Sequence, residues 1–318
     1  MPLHPDRLPA AYRQMHIIRK FEEAIRDLYQ ASRIRGSFHP CVGQEAVAVG
    51  ACWALRTDDY MTCTYRGHGH ALAKGLDVNA AMAEMLGKVT GCSKGKGGSM
   101  HFTDPAIGLL GENAIVAGGI PHAAGAALAM QMQKKDRLAL AFFGEGAVNQ
   151  GVFHETLNLI AVWKLPVILV CENNLYSEMT PSIETTSTPA TYLRAQAYGI
   201  RAERMDGNDL EAVYQAVEGA AARARAGEGP TYLEAETYRL WGHMMGDPEV
   251  YRNKEEVAQA RQREPIVRLG VRLGELGYSP ADLSRLEAEA QAVIEAALQF
   301  AEASPIPSPQ DAYADLMV

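Results

Sequence analysis

The stretch "RLALAFFGEGAVNQGVFHETLNLIAVWKLPVILVCENN", residues 137–174, decides the fold. After Arg137, residues 138–143 are an apolar run with the composition of a short buried strand. A glycine-rich loop follows, with glycines at 144, 146 and 151. From residue 152 to 163 the pattern is helical, and Val152, Phe153, Leu157, Ile160 and Ala161 share one face. Pro166 stops that helix, and "VILVCEN" (167–173) is a second buried strand. Two strands joined through a helix form a crossover unit, which makes the sheet parallel. The fold class is therefore α/β, a parallel sheet with helices on both faces.

Ligands in such sheets bind in the loops beyond the carboxyl ends of the strands. The glycine loop also leads into a helix, whose free N–H groups and partial positive charge suit a diphosphate. Two common phosphate loops do not fit. A P-loop needs Lys-Ser/Thr after its last glycine, and the dinucleotide fingerprint needs a different glycine spacing. Taken alone, the glycines are better read as a tight strand-to-helix turn. The second strand changes the balance. Asn174 follows Glu145 by 29 residues, one crossover later at the same sheet edge. A carboxylate oxygen of Glu145, an amide oxygen of Asn174 and a backbone carbonyl near Tyr176 would supply three hard oxygens. That is half of an octahedral magnesium site, with a diphosphate and water to complete it. Asn173 and Asn174 could otherwise be turn residues that tolerate left-handed backbone.

The rest of the chain supports one α/β domain over 1–318, with a helical arm (1–35) and a mainly helical C-terminal extension (250–318). Residues 9–32 carry Met15, Ile18, Phe21, Ile25 and Leu28 at steps of three and four. A second helix enters through "GQEAVAVGACWAL", and "DDYMTCTYRGHG" reads as a short strand ending in a Gly/His loop. Residues 77–87 are helical. Residues 87–113 form a long glycine-rich loop, a length that in a compact domain points to function or disorder. "GGIPHAAGAALAMQM" is a helix of small residues, "PTYLEAETYRL" a third strand, and 279–304 the most regular helix.

Composition narrows the class. Of 318 residues, 47% are hydrophobic and 21% charged, as in a globular protein, and the net charge of −8 argues against nucleic-acid binding. The five cysteines have no C-x-x-C spacing and suit buried thiols in a reducing compartment. No stretch is long enough to span a bilayer, and a cytoplasmic location is expected.

The pattern G-E-G-A-x-N-x-G followed by E-N-N resembles the thiamin diphosphate motif. "YRGHGHALAKG", "GKGGSMH", "WKLPVILVCENN" and "YRLWGHMMGDPEVYRNKEEV" extend the likeness from about residue 10 to about residue 300. Together they resemble the alpha subunit of the thiamin-dependent first component of 2-oxo-acid dehydrogenase complexes, pyruvate and acetoin members above all. The resemblance implies thiamin diphosphate and magnesium as cofactors. Glu145, Asn174 and Tyr176 would hold the metal, with Glu145 standing where aspartate is commoner. Gly146 and Ala147 would offer backbone N–H groups to the diphosphate, and Tyr65 and Arg66 would bind it too. Ala114 and Val116 fall in the segment that touches the cofactor's rings, Ala114 in place of the usual glycine. His39 and His243 match histidines at the active-site mouth, where a developing oxyanion needs a proton donor.

The resemblance also implies partners. The glutamate that activates the cofactor belongs to a separate beta subunit, in an assembly of two alpha and two beta chains, and a lipoyl-bearing acyltransferase takes the product. Within this chain Glu45 and Glu112 are only weak substitutes. His4, His16 and His154 read as structural, while His68, His70, His101 and His122 are undecided. Lys94 and Lys96 could face a phosphate, with Ser99 and His101 close to the site. Met244 and Met245 stand where some members carry a phosphorylatable serine, and would line a channel rim or pack the loop. Two other functions share these motifs: carbon–carbon ligation or acyloin cleavage without a lipoyl partner, and a non-catalytic binding role.

Overall fold

The computed structural model describes residues 2–315. Its first half runs α1 (Leu8–Gln30), α2 (Glu45–Trp53), β1 (Tyr60–Thr64), α3 (His68–Lys74), α4 (Val78–Met85), β2 (Leu109–Asn113) and α5 (Gly119–Met132). The crossover follows as β3 (Ala139–Gly144), a 3-10 turn (Glu145–Asn149), α6 (Gly151–Val162) and β4 (Val167–Asn173). A small hairpin, β5 (Tyr176–Ser177) with β6 (Thr180–Pro181), leads into α7 (Ser182–Thr185) and α8 (Tyr192–Gln196). Then come β7 (Arg201–Asp206), α9 (Leu210–Arg225) and β8 (Thr231–Glu236). Last come α10 (Lys254–Arg261), α11 (Pro265–Glu275), α12 (Pro280–Ala303) and a 3-10 turn (Pro309–Tyr313).

Six strands form one sheet in the order β2-β1-β3-β4-β8-β7, and every pairing is parallel. Strand alternation sorts side chains to two faces. Leu140, Phe142, Ile168 and Val170 join one core with α1, α2 and α9, whereas Ala139, Ala141, Phe143, Val167 and Leu169 join another with α5 and α6. Both faces are thus covered, as the continuous apolar runs require. The N-terminal α1 packs against α12, and Arg19 ties α1 to Glu45 of α2 and to Glu264 at the start of α11.

The structure differs from the sequence reading in four places. "GHG" is not a loop: it opens α3, because Gly69 lets that helix press on its neighbours. An added Cβ there would lie 2.9 Å from Cys41 Sγ and 3.1 Å from Ile18 Cγ2. β2 emerges at the end of the long loop, and β7 was not foreseen at all. The 3-10 turn separates Glu145 from α6, so the turn, rather than the helix, presents its first residues to the sheet edge.

The glycine-rich loop is ordered around one side chain. Glu84 of α4 is fully buried, and its carboxylate accepts N–H bonds from Ser93 and Gly95 (both 2.8 Å) and from Gly97 and Gly98 (2.8 and 2.9 Å). Four charge-assisted bonds offset the cost of burying the carboxylate, and Gly95 and Gly98 supply the positive φ that the wrap needs. Glu84→Ala should remove both acceptor oxygens, and so all four bonds, and cost on the order of 3 kcal/mol in urea denaturation. A change within ~0.5 kcal/mol would show that water satisfies the loop equally well.

Candidate active site

The chain leaves β1 toward β2 on one side and returns to β3 on the other, so strand order reverses between β1 and β3. Ligands collect beyond the carboxyl ends of the strands at such a point. A cavity of about 420 Å³ lies there, walled by the segments that follow β1, β2, β3 and β4 and by residues beyond β8. It is lined by all eleven residues singled out from the sequence: His39, Tyr65, Arg66, Ala114, Val116, Glu145, Gly146, Ala147, Asn174, Tyr176 and His243.

One wall is rich in unpaired oxygen. Glu145 is 2% exposed. Its Oε2 accepts from the Asn174 backbone N–H at 3.2 Å, but Oε1 is buried with no hydrogen-bond partner. Asn174 Oδ1 is likewise buried and unpartnered. Burial raises the Glu145 pKa, against its backbone bonds and the charges of Arg239 and Arg66. Orphaned buried acceptors are costly, and a cation between them removes the cost. Asn173 is the turn residue instead: its amide donates to Glu234 at 2.6 Å and accepts from Leu175 N–H, where the backbone turns left-handed. The Tyr176 hydroxyl donates to Glu256 of α10, so this residue has only its backbone to offer the cavity. Gly146 has no room for a side chain, since a Cβ would lie 2.6 Å from Ser177 Oγ.

The facing wall is cationic. Arg66 donates to the carbonyls of Pro40 (2.7 Å) and His243 (3.0 Å). Arg239, 2% exposed, donates to the carbonyl of Glu178 at 2.8 Å, and its Nε has no partner. Among the described residues, neither guanidinium has a carboxylate within ion-pair distance. Burial, and then Arg66, lowers the Arg239 pKa to about 10. Two buried cations side by side leave room for an anion of matching charge.

The histidines stand between these walls. The ring centroids of His39 and His243 are 4.9 Å apart, and the Tyr65 ring packs against His39 at 4.4 Å, tilted by 52°. His243 Nδ1 lies 3.1 Å from Arg239 and 3.4 Å from Arg66, both donors, so the neutral ring carries its proton on Nε2. Its backbone N–H is fixed by Asp247 at 2.6 Å. Burial and then Arg66 push both imidazoles down to about 3.

A sequence family described as "Dehydrogenase E1 component" matches residues 13–310. The alpha subunit of the acetoin:2,6-dichlorophenolindophenol oxidoreductase of Bacillus subtilis is 43% identical over 308 residues, 96% of this chain and 92% of that protein. The pyruvate dehydrogenase E1 component alpha subunit of Rhizobium meliloti is 39% identical over 311 residues (97% and 89%), and that of Rickettsia bellii 37% over 309 (97% and 95%). The chain belongs to the dehydrogenase E1 component family. Its relatives are oxidoreductase subunits, and the family depends on thiamin diphosphate.

As an E1-family chain it also has cavity residues that sequence reasoning did not single out. Arg239 stood inside the quoted "YRLWGH" motif, and only its burial without a counter-ion marks it. Glu172 and Gln44 form the floor, with Glu172 Oε1 accepting from Gln44 at 3.0 Å and paired with His70 at 3.1 Å. Other candidates lie elsewhere. Glu45 is held by Arg19 and the Gly43 N–H, and Glu112 packs behind Gly67. Neither lines the cavity. Lys94 and Lys96 pair with Asp315. Met100 reaches the cavity, whereas Ser99 and His101 do not. Met244 and Met245 are outside it too, over Ser37 and Phe38. His122 is exposed, His154 bonds Tyr198, His16 is buried beside Tyr12, and His4 caps the first turn. Among the described residues no helix is long and apolar enough to cross a membrane.

The histidine shifts set a pH dependence. With folded values near 3 against an ordinary 6.5, the unfolded chain binds more protons between them. Stability is then complete above about pH 6.5 and falls as pH drops toward 3. A His39→Gln, His243→Gln double variant should show a shallower loss between about pH 7 and pH 5 in urea denaturation of the ligand-free chain. An unchanged slope would mean that these rings titrate normally.

Proposed function

We propose that this chain is the alpha subunit of a thiamin diphosphate- and magnesium-dependent 2-oxo-acid (pyruvate-type) or acetoin dehydrogenase. It works in the cytoplasm as two alpha and two beta chains, and passes an acyl group to a lipoyl-bearing acyltransferase. One observation carries the reading: two buried guanidinium groups without a counter-ion face two buried oxygens without a partner, in one cavity. A diphosphate answers the first need and a hard dication the second.

The residues divide accordingly. Glu145 and Asn174, with the backbone carbonyl of Tyr176, hold magnesium. Backbone N–H groups of Gly146 and Ala147, together with Tyr65, Arg66 and Arg239, hold the diphosphate. Ala114 and Val116 touch the cofactor's rings through backbone. When bound, thiamin diphosphate supplies a carbon nucleophile for the substrate carbonyl. His39 and His243 supply and recover protons at the substrate oxygen. Burial is the first cause of their low pKa, and the charge of Arg66 the second. Neutralising Arg66 and Arg239 removes the repulsion that Arg66 in particular exerts on both rings and raises their pKa, against the burial that remains. With Arg239 donating to Nδ1, the neutral His243 ring offers its Nε2–H as a hydrogen bond to the substrate oxygen.

The metal assignment is the testable part. Asn174→Ala in the partner-bound preparation should weaken thiamin diphosphate binding 10-fold or more when magnesium is limiting, with recovery at saturating magnesium, as read by titration calorimetry; about 10-fold corresponds to one lost ligand worth ~1.4 kcal/mol. Magnesium-dependent binding identical to that of the parent chain would show that the metal sits elsewhere. The partner-bound parent chain should acylate a lipoyl domain from pyruvate or from acetoin. Turnover without lipoyl acylation would favour carboligation or acyloin cleavage instead.

A further inference from the structure

Outside the cofactor cavity, three side chains make a second chemical constellation. Glu22 of α1 and His68 of α3 are both fully buried. His68 Nδ1 lies 3.2 Å from Glu22 Oε1, and His68 Nε2 lies 2.9 Å from Ser99 Oγ. Carboxylate, imidazole and hydroxyl are thus connected in series, each at hydrogen-bond reach. None of the three lines the cofactor cavity.

From this geometry we propose that Ser99 is an activated nucleophile, with His68 as its base and Glu22 as the group that orients the base, and that it captures electrophilic acyl or phosphonyl groups. Such a constellation is recognised by geometry and roles, whatever the order along the chain.

The packing suits the role. Phe21, Phe38 and Phe102 surround the imidazole with ring centroids 5.8, 6.3 and 5.1 Å away, so it cannot turn from its two partners. Glu22 is held in turn, because its Oε1 accepts from the Cys41 backbone N–H at 3.1 Å and from Cys41 Sγ at 3.0 Å. Burial alone would lower the His68 pKa, but the charge and hydrogen bond of Glu22, with a smaller push from Glu112 and against Arg66, leave it above the ordinary value. Ser99 sits on the loop that Glu84 fixes by four N–H bonds, so the hydroxyl is presented on a rigid segment. Ser99 itself is only partly buried, and beside it Gly98 has open space where a side chain would stand. A reagent therefore has a route to the hydroxyl.

In the step, Ser99 Oγ bonds to the electrophilic carbon or phosphorus. The leaving group departs with the bonding electron pair, and the hydroxyl proton passes to His68 Nε2, where the imidazolium is stabilised by Glu22. The N–H groups of Gly97 and Gly98 are already bound to Glu84 and cannot cradle an oxyanion. Capture of the group, rather than rapid turnover, is the expected result.

The test uses the full chain and a fluorophosphonate probe, with the adduct mapped by peptide mass spectrometry. One adduct is expected, on Ser99, forming at least about 100-fold faster than on any other serine. Ser99→Ala should abolish it, and His68→Asn should slow it about 100-fold in a chain whose melting profile shows that it is folded. Glu22→Gln should slow it as well. No adduct at Ser99, labelling spread over several serines, or an undiminished rate in folded His68→Asn would each overturn the proposal. If the His68 and Glu22 variants fail to fold, the selectivity in the parent chain and its loss in Ser99→Ala decide the matter.

Discussion

Parallel pairing brings every strand's carboxyl end to one edge of the sheet, and the chemistry of this chain depends on that constraint. Tyr65 and Arg66 follow β1, Ala114 follows β2, Glu145 follows β3 and Asn174 follows β4. Residues distant in sequence meet because the strands that carry them are hydrogen-bonded neighbours. The register Gly144↔Glu172 places the start of the Glu145 turn beside the end of β4, which lets the Asn174 N–H reach the Glu145 carboxylate.

The price of this convergence is electrostatic. Arg66 and Arg239 are desolvated next to one another, while Glu145 and Asn174 turn bare oxygens inward. Such an arrangement lowers the stability of the free chain and favours whatever ligand completes it. The depressed histidines belong to the same arrangement, because burial and the two guanidinium charges keep them neutral. Anion binding and proton uptake are therefore linked through the same few residues.

Central strands were legible in the sequence, and edge strands were not. β3 and β4 are buried on both faces and read as apolar runs, and β8 is buried over Thr231–Ala235 although Glu234 interrupts its apolar pattern. β7 lies at one edge, and among its residues only Met205 is buried, so "RAERMD" has no apolar signal. β2 lies at the other edge, contains Gly111 at positive φ and pairs across an irregular register. The α3 glycines signalled a loop, although Gly69 serves helix packing. In the site, residues with a motif spacing were readable: Glu145 and Asn174 share one crossover. Arg239 was not, because its significance is the absence of a counter-ion, which spacing cannot express. Glu84 and the Glu22–His68–Ser99 series depend on contacts between segments far apart in the chain, and no local pattern announces them.

The central claim is that this chain is one half of an enzyme built around a bound diphosphate. Gentle purification of the tagged full chain from its own cells, followed by native and peptide mass spectrometry, tests it most directly. The account predicts a beta-type subunit in equal amount to the chain, with thiamin diphosphate retained in the complex. A lone chain, without partner or cofactor, would contradict it.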